Sequence, residues 1–173
     1  MRNVLTREDM ASLFNEMGFK TGAEIGVKAG VFSTILCERI PGLKLKCIDP
    51  WLGYRVTPSG RRMQRYFVHV TENLGKKYGA EIIRKTSMEA VEDVPDGTLD
   101  FVYIDALHSF DYAMMDIIKW TPKVRLGGVV SGHDYIEHRK AEHVKIAVDA
   151  YVQAHGIQLF TTTMDWPSFF WVR

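Results

Sequence analysis

Cysteine is scarce: Cys37 and Cys47 are the only two in 173 residues. A disulfide-stapled scaffold needs a denser framework, and a single pair spaced in this way matches no zinc motif. Both sit in apolar stretches, so two buried free thiols in a cytoplasmic protein are expected. Net charge is equally scarce. Lys and Arg total 22 against 21 Asp and Glu, leaving +1. That excludes a global basic field for nucleic acid and an acidic tail. Long apolar runs are missing too. Nothing approaches the ~20 residues that cross a bilayer, and the opening MRNVLTREDM lacks the apolar core of a signal peptide. Neither a membrane nor a nucleic acid is therefore expected as a partner.

What remains is a globular composition, 46% hydrophobic and 25% charged, at a length usual for one domain. We read residues 1–173 as a single domain, with an N-terminal helix in 1–19 and the core in 20–173. Repeats, low-complexity segments and linkers are not seen. Short apolar runs alternate with amphipathic stretches, the pattern of a parallel sheet with crossover helices. Thr6 caps a first helix, with Asp9 completing a weaker capping box. Strands are expected at Gly22–Val27, Leu43–Ile48, Glu81–Lys85, Leu99–Ile104 and Val129–Ser131. Helices are expected at Ser33–Ile40, Met63–Leu74, Ser87–Val91, Phe110–Lys119 and Ala141–Ala154. The segment 53–65 reads as a loop. Ile157–Met164 and Ser168–Val172 read as two antiparallel strands about the Asp165-Trp166-Pro167 turn. The fold class is therefore α/β and Rossmann-like, a seven-stranded, mostly parallel sheet with a C-terminal antiparallel hairpin and helices on both faces.

Chemistry is expected where strands end. In an open α/β sheet, ligands sit beyond the carboxyl ends of the strands, at the switch point of strand order. Gly26 and Gly30 lie in such a joint, spaced G-x-x-x-G rather than as the dinucleotide fingerprint. Alone, this joint reads equally as a tight turn. Asp49 follows about 20 residues later at the end of the next strand, where a carboxylate can accept hydrogen bonds from both ribose hydroxyls of a nucleoside. Alone, it reads as a turn residue before Pro50.

Four segments taken in order are more specific. They are Glu24-Ile25-Gly26-Val27-Lys28-Ala29-Gly30-Val31-Phe32-Ser33, Asp49-Pro50-Trp51, Asp100 to Phe110, and Leu126 to Tyr135. Together they resemble the class I S-adenosylmethionine-dependent methyltransferases. The nearest resemblance is to the bacterial branch of small-molecule O-methyltransferases, related to the metal-dependent O-methyltransferases, and it covers the chain from about residue 20 onward. It implies that the backbone at Gly26, Val27 and Gly30 approaches the methionine portion of S-adenosylmethionine, with Glu24 and Ser33 near its amino and carboxylate groups. Asp49 would hold the ribose and Trp51 would pack nearby. Thr86, Ser87 and Met88 match the segment that lines adenine, although Met88 reads as easily as a core residue.

Asp105, His133 and Asp134 follow adjacent strand ends on the same edge. Carboxylate and imidazole donors suit a divalent ion, and in the metal-dependent relatives the matching positions bind magnesium. Mg2+ or Mn2+ is expected, and His133 in place of an oxygen donor shifts preference from magnesium toward manganese, iron or zinc. The ion would lower the pKa of an acceptor hydroxyl and orient it. Read otherwise, Asp105 and Asp134 cap turns. His108 stands where a relative carries a lysine base, and an imidazole of ordinary pKa near ~6.5 can take a proton at neutral pH. Asp105 and His108 are thus the catalytic candidates. The basic, aromatic stretch Gly53–Arg65 and the cluster His138-Arg139-Lys140 would meet an anionic or sugar acceptor, or be solvated loops.

The expected function is O-methylation of a small hydroxylated acceptor, a sugar or secondary metabolite, with a divalent metal assisting. The alternatives are metal-independent methylation of nitrogen or of a macromolecule, and a catalytically silent cofactor-binding subunit. Trp166, Phe169 and Trp171, if exposed, would favour a homodimer; they read equally as core strand residues.

Overall fold

A computed structural model describes residues 5–52, 58–137 and 142–173. It contains β1 (Thr21–Ile25), β2 (Lys44–Ile48), β3 (Glu81–Ile83), β4 (Leu99–Ile104), β5 (Val124–Gly132), β6 (Phe160–Thr161) and β7 (Phe169–Val172). They form one sheet in the order β3-β2-β1-β4-β5-β7-β6. The first five strands run parallel, and β7 joins β5 and β6 antiparallel. The chain starts in the centre, moves outward through β3, then returns to the other side of β1 at β4. The switch point therefore falls between β1 and β4, the crevice where such sheets bind ligands.

Strand alternation divides the core into two layers. On β4, Phe101 and Tyr103 pack with Met10, Phe14, Phe32 and Leu36 of helices α1 (Arg7–Glu16) and α2 (Val31–Arg39). Leu99, Val102 and Ile104 point the other way, against α6 (Phe110–Trp120) and α7 (Glu142–His155). Period-2 alternation separates Phe101 and Tyr103 from Val102 and Ile104, and Leu99 joins the second layer across the register shift between Leu99 and Phe101. Each large side chain fully buried this way contributes roughly 1.5–3 kcal/mol. Thr6 caps α1 as expected, its hydroxyl accepting the Asp9 N–H at 3.0 Å.

Several boundaries differ from expectation. Part of the expected loop 53–65 is helical: α3 runs Pro58–Val70. Its first residue is the proline, where a missing N–H leaves nothing unpaired. A π-helical turn, Thr71–Gly75, continues it into the single turn α4 (Lys76–Tyr78). β5 begins at Val124, before Gly127-Gly128 rather than after. A Cβ on Gly128 would lie 2.4 Å from the Asp100 carbonyl oxygen, so that glycine marks a close strand approach, not a strand end. β6 is reduced to Phe160–Thr161. Phe169 and Trp171 are core residues at 1% exposure, and only Trp166 of that trio is exposed. No helix among the described residues is long and apolar enough to cross a membrane. Cys37 and Cys47 are free and buried, as expected.

Candidate active site

The expected site residues gather at the carboxyl edge of β2, β1, β4 and β5. The register aligns Ile48, Ile25, Ile104 and Gly132 across these strands, so Asp49, Gly26, Asp105 and His133 follow side by side. Among the described residues, the non-glycine residues with positive φ are Lys28 (+52°), Trp51 (+41°) and Asp134 (+61°). All three lie in the loops leaving this edge. Such strain persists where the surroundings over-determine it, and it concentrates at binding sites.

Gly26 has φ +94°, and a Cβ there would fall 1.9 Å from the Asp105 carbonyl oxygen. At Gly30, φ is +75° and a Cβ would press on Leu74 and Val70 at 2.9 and 3.1 Å. Both glycines thus make room for the protein's own chain: Gly26 for the end of β4, Gly30 for α3 and the π turn. Val27 is buried beside them.

Asp49 faces this turn. Its Oδ2 accepts the Lys28 N–H at 2.8 Å and its Oδ1 accepts the Trp51 N–H at 2.6 Å. The Trp51 indole closes the arrangement by donating to the Lys28 carbonyl at 2.8 Å. Burial raises the Asp49 pKa, and the two N–H groups act against that rise. A carboxylate has about four acceptor positions, so two remain for a ligand. Trp51 itself is buried, and its ring centroid lies 5.3 Å from that of Phe67.

Glu24 and Ser33 are both buried, and the Ser33 hydroxyl donates to Glu24 Oε2. Burial pushes the Glu24 carboxyl up to about 8, against that hydrogen bond. Cys47 Sγ lies 3.6 Å behind, on Ser33 Oγ. Ser33 therefore supports Glu24 from within the core.

After β3, Thr86 caps the short helix α5 (Ser87–Ala90) in a capping box with Glu89. The Ser87 hydroxyl donates to Asp116 and accepts the Trp120 indole N–H at 2.7 Å. Both polar side chains are thus engaged within the protein, and Met88 beside them is half-buried. Asp116 was not anticipated. Burial pushes its carboxyl up to about 6, against the Ser87 hydrogen bond. Its one sequence signal is a charge on the helix face of Ala113, Ile117 and Trp120, all buried.

Asp105, His108 and Asp134 come together. His108 Nε2 is 2.9 Å from Asp134 Oδ2 and 3.8 Å from Asp105 Oδ1. His133 reaches the other oxygen, its Nδ1 lying 2.9 Å from Asp134 Oδ1. The carboxylates of Asp105 and Asp134 hold His108 up at about 10, burial acting against them. Despite its burial, Asp134 is held well below the ordinary carboxylate range by its hydrogen bonds to His108 and His133. A proton held there by the two carboxylates works against the free imidazole that a base needs. The cavity under the cluster is floored by Ile117, Val144 and Phe169. Of the basic stretches, Arg61, Arg62 and Arg65 are exposed on α3, while 53–57 and His138–Lys140 lie outside the described residues.

An open, mostly parallel sheet with its glycine turn, the aspartate after β2 and the acidic cluster on one carboxyl edge defines the α/β Rossmann-like methyltransferase fold. Residues 23–135 match the family described as methyltransferase domain, and the chain belongs to that family. Among solved structures it resembles a candidate caffeoyl-CoA O-methyltransferase from Staphylococcus aureus, with TM-score 0.74 and 16% identity, over 100% of this chain and 85% of that one. The O-methyltransferase from Bacillus cereus in complex with S-adenosylhomocysteine (SAH) gives TM-score 0.69 and 12% identity over 96% and 80%. The O-methyltransferase TomG from Streptomyces achromogenes, in complex with S-adenosylmethionine, gives 0.66 and 14% over 96% and 78%. In sequence, the chain is 33% identical over 55 residues to the uncharacterised protein y4gI of Sinorhizobium fredii, a stretch covering 32% of this chain and 6% of that protein.

Proposed function

We propose that the protein is an S-adenosylmethionine-dependent O-methyltransferase, a single domain acting on a small hydroxylated acceptor such as a sugar or secondary metabolite, with a divalent cation assisting. One observation carries the reading: an Asp49 carboxylate fixed by two backbone N–H groups beside the glycine turn, with acceptor capacity left for a ribose. The cofactor-bound Bacillus cereus and Streptomyces achromogenes structures of the same fold support the choice of methyl donor.

In this reading the turn of Gly26, Val27 and Gly30 accommodates the methionine portion, and buried Glu24, held by Ser33, faces its ammonium group. Trp51 keeps Lys28, and through it Asp49, in place. The turn of Thr86, Ser87 and Met88 flanks the adenine. The acceptor sits over Asp105 and Asp134. Its oxygen bonds to the methyl carbon as the carbon–sulfur bond breaks, and its proton leaves toward Asp105. Holding those atoms in line supplies much of the rate.

Two carboxylate oxygens and an imidazole nitrogen, all within 4.8 Å of one another, suit a divalent ion. When bound, such an ion lowers the pKa of the acceptor hydroxyl. Asp105 and Asp134 would hold it, with one histidine. Two buried, unpaired thiols fit the reducing cytoplasm, and the exposed Trp166 would lie at a homodimer contact.

Formation of SAH from S-adenosylmethionine, measured across a panel of small hydroxylated acceptors, tests the reading. Turnover on at least one acceptor, abolished in Asp105→Ala while cofactor binding persists, is expected. Intact turnover in Asp105→Ala removes the catalytic role of that residue.

A further inference from the structure

We infer that the nitrogen ligand of the cation site is His108, with His133 positioning Asp134 rather than binding the ion. The inference rests on the metal-assisted reading above and changes its ligand set. Spacing along the chain favours His133, which follows β5 directly beside Asp134. Geometry favours His108. Among the described residues, the three whose donor atoms all lie within 4.8 Å of one another are Asp105, His108 and Asp134. His133 is outside that set.

The two oxygens of Asp134 divide the work. Oδ2 faces His108 Nε2 at 2.9 Å, on the side of Asp105. Oδ1 meets His133 Nδ1 at 2.9 Å. A residue gripping one carboxylate oxygen fixes the direction of the other, the usual service of a group hydrogen-bonded to a metal ligand. The left-handed backbone of Asp134, at φ +61°, holds the carboxylate between the two imidazoles. His108 reaches from the other side of the crevice, three residues past Asp105 and just before α6. Its Nε2 is within 3.8 Å of an oxygen from each aspartate. An ion bound by those two oxygens therefore meets His108. The resulting set of one nitrogen and two oxygens suits Mn2+, Fe2+ or Zn2+ better than Mg2+.

Mn2+ titrated into the purified protein, read by electron paramagnetic resonance, tests the assignment. Nitrogen hyperfine coupling reports a directly bound imidazole. The coupling should be present in the wild type and in His133→Ala, and absent in His108→Ala. Loss of the positioning histidine should weaken Mn2+ binding by about 10-fold, and loss of the directly bound imidazole should weaken it further. His108→Gln, which keeps a polar side chain of similar reach, gives the same spectroscopic answer if the alanine variant does not fold. Coupling that survives in His108→Ala and vanishes in His133→Ala overturns the assignment. So does a wild type that binds no Mn2+. SAH binding, measured calorimetrically on the same samples, separates that failure from failure of the methyltransferase reading.

Discussion

Gly26 and Asp105 meet backbone to backbone: the space that a Cβ on Gly26 would need lies 1.9 Å from the carbonyl oxygen of Asp105. The turn that would receive the methyl donor and the residue that would receive the acceptor are thus locked to each other at the switch point. Gly26→Ala must both strain a φ of +94° and displace the end of β4. A destabilisation of about 3 kcal/mol or more is expected, or failure to fold, since steric and backbone penalties add. Chemical denaturation of the variant checks it.

Glu24 predicts a pH dependence of stability. Its carboxyl is pushed from 4.5 up to about 8 by burial. The folded state therefore binds one more proton than the unfolded state between those values. The contribution is fully present below about 4.5 and is lost as pH rises through about 8. In Glu24→Gln this dependence disappears. Urea unfolding at several pH values should show wild-type stability falling relative to the variant, with a slope approaching about 1.4 kcal/mol per pH unit. The difference should level off above pH 8, given the folded-state value. Parallel pH profiles for the two proteins would count against a buried, proton-holding Glu24.

Trp51→Phe keeps an aromatic ring but removes the N–H that meets the Lys28 carbonyl at 2.8 Å. Loss of that bond should cost about 1 kcal/mol, plus the penalty of an unpaired carbonyl. Because Lys28 also presents its N–H to Asp49, SAH affinity should fall several-fold with the melting temperature. A fall in melting temperature with unchanged affinity would make Trp51 a packing residue only.

Chelation separates the two halves of the site. Treatment with EDTA should lower turnover by about tenfold or more, and added Mn2+ should restore it, if the proposed ion activates the acceptor. Cofactor affinity should be unchanged, since Asp49 and the glycine turn lie outside the Asp105, His108 and Asp134 group.

Much of this arrangement is legible in the residues. The apolar run Leu99–Ile104 identifies β4, and the order of Gly26, Asp49, Asp105 and Asp134 puts them on one edge. Other features are less visible, for physical reasons. Gly127 and Gly128 look like a break but lie within β5, because glycine permits both a turn and a close strand approach. Pro58 and Gly60 look like loop residues yet fall within the first turn of α3. The π turn at Thr71–Gly75, which places Leu74 on Gly30, has no periodic signature. The pairing of His108 with Asp134 joins two loops 26 positions apart, and no spacing rule along either loop encodes it. Asp116 beneath Ser87 is visible only as a charge on an otherwise apolar helix face.

The most direct measurement is calorimetric titration of SAH into the wild type and Asp49→Ala side by side. Saturable one-to-one binding to the wild type is predicted. The variant should bind about tenfold or more weakly, because hydrogen bonds to a charged partner are worth ~1.5–3 kcal/mol. A wild type that gives no saturable heat, or a variant that binds equally well, would contradict a nucleoside site built on Asp49 and the glycine turn.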